Sequence, residues 1–156
     1  MRLRNLVTVA AVCAALAMSS VALAQNKNPR FGKWKLKSDA PAPQSNIMTY
    51  EPFGGKGMKV TVESVNAKGE KNAWWYTTDF DGKFMPVTGQ ENADTSVVTI
   101  NDRINEIVNR RNGVVTQILT NVLSPDGNTI GVMYMRMDPA GKKTMNVTFA
   151  TYERIQ

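Results

Sequence analysis

FGKWKLK, residues 31–37, decides how the rest of the chain is read. Trp34 and Leu36 alternate with Lys33, Lys35 and Lys37. A period of two sends the tryptophan to one face and the three lysines to the other, the signature of a half-buried β-strand whose apolar side faces an interior. The question this stretch poses is what that interior holds.

The same pattern repeats along the chain. Strand candidates fall at 31–37, 45–51, 58–65, 71–79, 83–88, 95–100, 104–110, 114–123, 129–137 and 144–153. Between them lie GGKG (54–57), NAKGE (66–70), FDGK (80–83), NDR (101–103), RNG (111–113), SPDG (124–127) and DPAGK (138–142). Gly, Asn and Asp recur there because tight hairpins need positive φ or an Asx side chain capping its own backbone. DAPAPQS (39–45) is a Pro-rich crossing, and NDRINEIVNR (101–110) is read as strand on the alternation of Ile104, Glu106 and Val108. Ten short strands joined mostly by tight turns make an all-β, antiparallel up-and-down meander. Such a sheet has two open edges unless it closes on itself, so a barrel of about 8–10 strands is expected, with a two-sheet β-sandwich as the alternative.

The first 24 residues read as a leader. A basic start (MRLRN), a short apolar run (LVTVAAVCAALAM) and Ala22-Leu23-Ala24 before Gln25 form the three-part pattern of a secretory signal peptide. Export is expected, to the periplasm or medium of a Gram-negative-type bacterium, with residues 25–30 a flexible polar tail and 31–156 one domain. Loss of Arg2 and Arg4 leaves 17 basic against 13 acidic side chains. That excess is dispersed, unlike the basic stripe with exposed aromatics that nucleic acid requires. The single cysteine, Cys13, leaves with the leader, and the chain has no histidine. Ser–His–Asp and Cys–His nucleophiles, imidazole-based zinc sites and histidine general-base chemistry are thereby excluded.

Gly32-Lys33-Trp34 matches the G-x-W of lipocalins and their relatives, and MTYEPFGGKGMKVTVESVNAKGE, WWYTTDFDGKFMPVTG and TYER resemble secreted bacterial lipocalin-like domains. The resemblance implies a calycin-type barrel in which Trp34 plugs one end and Arg154, near the end of the last strand, lies across the indole. A guanidinium over an indole face is a favourable cation–π pair. It further implies carriage of a small molecule inside the barrel.

Two stretches suggest the lining. In VMYMRM, Met133, Met135 and Met137 share a face opposite Val132, Tyr134 and Arg136. With the arginine taken to mark the wet side, the methionines turn inward as core filler, as an adaptable pocket wall or as a soft Cu(I) site. In NAWWYTTDF, Trp74 and Tyr76 share one face and Trp75 the other, so an inward Trp74–Tyr76 pair offers a flat wall or a plain core, while an outward Trp75 would seed a partner surface. Asp79 and Asp81 suit an Asx turn better than a calcium loop, whose remaining ligands are missing. Glu63, Glu70, Asp79, Asp81, Glu106 and Glu153 show no facing pair for carboxylate catalysis. The expectation is a non-catalytic barrel holding a small, mostly apolar ligand against Trp74, Tyr76, Met133, Met135 and Phe149, closed at its base by Gly32, Trp34 and Arg154. No metal or cofactor is called for. The alternative is a protein-binding module, an exported inhibitor or envelope partner, with a filled barrel.

Overall fold

The computed structural model describes residues 28–156. The leader expected at 1–24 and residues 25–27 of the tail lie outside the described residues. Ten antiparallel strands follow: β1 (Gly32–Leu36), β2 (Ser45–Phe53), β3 (Gly57–Val65), β4 (Lys71–Thr78), β5 (Met85–Pro86), β6 (Ala93–Asn101), β7 (Ile104–Arg111), β8 (Val114–Leu123), β9 (Thr129–Met137) and β10 (Thr144–Arg154). Their order in the sheet is β4-β3-β2-β1-β10-β9-β8-β7-β6-β5, a meander whose first and last strands meet between β1 and β10.

The two ends of this row, β4 and β5, nearly close the ring. Trp75 on β4 and Thr88, just past β5, exchange both backbone hydrogen bonds, at 3.0 and 2.9 Å. This settles the architecture as a barrel and not a sandwich, because one continuous sheet returns to its own edge. The sequence's turn chemistry makes the hairpins: Asn66 Oδ1 accepts from the N–H groups of Lys68 and Glu70, and Asp138 Oδ1 from that of Lys142. Among the described residues, no helix is long and apolar enough to cross a membrane.

One end of the barrel, the base, is sealed. Trp34, Met58, Leu123 and Ile130 are almost fully buried there. Arg154 lies over the Trp34 ring at 4.1 Å and donates to the carbonyls of Gly127 (2.9 Å), Phe31 (2.8 Å) and Pro29 (2.6 Å). Gly32 has φ of +129°, and a Cβ there would collide with the Gln156 carbonyl and stand 2.8 Å from Arg154 Nη1. The G-x-W spacing thus has a local cause: the glycine makes room for the arginine that covers the tryptophan.

The flexible tail expected over 25–30 does not describe its last residues. Arg30 is 2 % exposed, and its backbone carbonyl accepts the Trp34 indole N–H at 2.8 Å. Composition alone marked QNKNPR as polar and loose; the indole's need for a buried acceptor ties its end to the base.

Candidate functional site

The opposite end is open. A mouth of about 750 Å³ leads toward an inner chamber of about 240 Å³, and Trp74, Tyr76, Asn109 and Gln117 line both. These four form a collar, with two rings on β4 and two amides on β7 and β8. The Trp74 and Tyr76 rings lie 14° from parallel with centroids 6.3 Å apart, giving a flat aromatic wall from mouth to chamber. Across from it, Thr95 Oγ1 donates to Asn109 Oδ1 at 2.7 Å, and Asn109 Nδ2 to Gln117 Oε1 at 3.3 Å. The relay fixes both amides and leaves Gln117 Nε2 with no protein acceptor among the described residues. A bulge between Asn109 and Arg110, where Thr116 is skipped in the pairing, ends the regular β7–β8 ladder just above the collar.

The chamber itself is lined by apolar side chains and by all four tyrosines of the chain: Tyr50, Tyr76, Tyr134 and Tyr152. Tyr134 and Tyr152 bring their hydroxyls within 3.4 Å of each other. At the floor a chain of donors runs from Arg30 Nε to Asn121 Oδ1 (3.4 Å), from Asn121 Nδ2 to the Tyr50 hydroxyl (3.2 Å), and from that hydroxyl to Met48 Sδ (3.6 Å). Burial pushes Tyr50 up to about 12 and raises Tyr76, Tyr134 and Tyr152 as well, so all four stay neutral donors and acceptors at physiological pH. Asn46 Oδ1, on the wall, is buried without a hydrogen-bond partner among the described residues. Among the described residues, no Asp, Glu, Lys or Arg lines the chamber.

The residues expected in the lining divide. Trp74 and Tyr76 do face inward. Met133, Met135 and Phe149 do not: they are on the outer face, and the correction follows from strand parity. Val132 and Tyr134 line the chamber, so the methionines between them point out, and Phe149, paired across the ladder with Met133, is 76 % exposed. Arg136 marks a wet face, which here is not the outer one. It lies on the inner face at the mouth, where the inside is wet too. The same parity turns Tyr134 inward with the tyrosine cluster, and inward parity counted from Trp34 through Met48 and Tyr50 on β2, which it faces, is the sequence signal that points to Tyr50.

Trp75 is outward as alternation requires, with Lys59 Nζ 4.8 Å above its ring. Among the described residues, no group of three or more acidic side chains is placed to hold a metal ion.

No family model matches the sequence, and no curated protein matches it. Solved structures do. One variant of the fluorescent protein UnaG superposes with a TM-score of 0.56 at 11 % identity, covering 82 % of this chain and 97 % of that one. A second variant and the wild-type protein give 0.53 at 12 % identity, each covering 80 % of this chain and at least 95 % of the other. At such identity the likeness concerns the backbone path, and with the observed meander and its near closure it shows that this chain has the antiparallel β-barrel fold of those structures.

Proposed function

We propose that the protein is a non-catalytic carrier of a small, largely apolar molecule held inside the barrel. The observation that carries this reading is the hollow interior: an aromatic and aliphatic chamber of about 240 Å³, reached from an open mouth through a collar whose amides are already oriented. At bulk density that chamber holds on the order of eight waters. An apolar body that displaces them gains from burial, while Gln117, Asn46 and the tyrosine hydroxyls offer a few directional contacts. A barrel of the same type serves as the body of the fluorescent protein UnaG. Export through residues 1–24 belongs to the same proposal and is tested by N-terminal sequencing of the protein from host envelope and medium.

Native mass spectrometry of protein purified gently from its host tests the reading. A reproducible small-molecule adduct, lost on denaturation, is the expected result. A bare mass, together with tryptophan emission that no panel of apolar probes quenches, overturns it.

A second reading, docking of a protein partner, rests on a different observation. Met145, Val147 and Phe149 form an exposed apolar strip on β10, at 66 %, 47 % and 76 % exposure. Cross-linking in host extracts that captures one partner with the native protein but not with Phe149→Ser supports it.

A further inference from the structure

The carrier reading leaves the ligand's polar end undefined, and the distribution of charge along the barrel assigns it. We infer that the ligand is an amphipathic anion bound with its acidic group outward, at Arg111 and Arg136, and its apolar body below the collar. This rests on the carrier reading and adds to it a charge and an orientation.

Among the described residues, the chamber offers no charged side chain to an ionised group, and an ion placed there without a partner is strongly disfavoured. A charged ligand group therefore stays in the mouth. The mouth carries three arginines and two aspartates. Arg110 is already spent, since it grips Asp94 with two hydrogen bonds of 2.8 Å and covers the Phe84 ring at 3.3 Å. Asp138 Oδ1 caps the β9–β10 hairpin through the Lys142 N–H.

The other two arginines lie on the inner face. Arg136 is the cross-strand neighbour of collar residue Gln117, and Arg111 stands one inward position above collar residue Asn109, opposite Ala93. Arg136 makes no hydrogen bond or ion pair among the described residues, and Arg111 has only a 3.5 Å contact to Gln90. Both guanidiniums thus stand at the rim of an apolar throat with donors free for a carboxylate or sulfonate.

One buried cation competes. Arg30 lies beneath the floor, where its Nη2 has no partner among the described residues, and an inverted ligand would present its acid to that group. Asn121 and the Tyr50 hydroxyl stand between Arg30 and the chamber, and its other donors go to Asn121 Oδ1 and the Asp102 carbonyl.

A matched pair of fluorescent probes decides the matter. 8-Anilinonaphthalene-1-sulfonate and N-phenyl-1-naphthylamine share an aromatic body and differ by the sulfonate. The native protein should bind the sulfonate probe about twofold to fivefold more tightly, the range of a partly exposed charge pair. The double variant Arg111→Gln/Arg136→Gln should abolish that preference while binding the neutral probe as before. Phe149→Ser, on the outer face, should change neither, which excludes binding to the exposed strip. Equal affinity for the two probes, or a preference that survives the double variant and is lost in Arg30→Gln, overturns the outward orientation. Failure of both probes to bind the native protein instead removes the carrier reading itself.

Discussion

Both ends of the barrel set arginine near an aromatic side chain, and the two ends use it in opposite ways. At the base, every nitrogen of the Arg154 guanidinium is committed to a backbone carbonyl, and its face covers Trp34. At the mouth, Arg136 is unengaged among the described residues, and Arg111 nearly so, beside the Trp74–Tyr76 wall. The residue type is therefore no guide to role. What distinguishes a structural from a binding arginine is whether the chain itself consumes its donors, since a planar fork with satisfied donors has little left for a ligand. The base is a lid fixed in place; the mouth keeps its guanidinium donors open among the described residues.

Replacing Trp34 by Ala should break the base and give the largest effect. It removes a fully buried indole along with its bond to the Arg30 carbonyl and its cover by Arg154, so about 3–5 kcal/mol of stability should go. Denaturant melts measure this directly. Arg154→Lys keeps the charge but cannot reach three carbonyls at once, and should cost about 2 kcal/mol by orphaning at least one of them. If either variant melts like the native protein, the base is not the closed end described here.

The chamber between the two ends can be probed by alkali. Raised tyrosine pKa values mean that the unfolded chain releases its phenolic protons first. Their contribution is fully present below pH 10 and is lost as pH climbs from the ordinary value toward the folded one. For Tyr50, pushed up to about 12 by burial, the loss across that window is on the order of 3 kcal/mol. Stability should fall from pH 10 upward, and phenolate absorbance should rise late and together with unfolding. Four tyrosines titrating freely near pH 10 in a folded protein would show that the chamber is as wet as the mouth.

How far the sequence foretold this contrast depends on which end is considered. All ten strands were legible, because alternation and Gly/Asn/Asp turns are local and each hairpin declares itself within a few residues. The Gly32–Trp34–Arg154 group was legible through resemblance, and the geometry supplies its reason in the crowding around Gly32. The lining was not, since facing is a relative property: in VMYMRM both faces include apolar residues, and the single charge, Arg136, marks water without saying whether that water is outside the barrel or in its mouth. Asn109 and Gln117 gave no signal at all. Amides on alternating strand positions look like ordinary exposed residues until the register brings Asn109 opposite Gln117 and Thr95.

The smallest effect tests the comparison most sharply. If the mouth is built for a ligand and not for the fold, Arg111→Gln/Arg136→Gln should leave stability within about 0.5 kcal/mol of native, because exposed side chains without protein partners contribute little. Its unfolding midpoint should also respond less to an anionic probe, since a ligand that binds only the folded state raises stability by mass action with the logarithm of its affinity. Thermal melts with and without the sulfonate probe read both quantities in one series. A double variant that melts like the native protein alone, yet gains less from the probe, places these arginines in the site. A variant already destabilised without probe would make them part of the fold, like Arg154, and erase the distinction between the two ends.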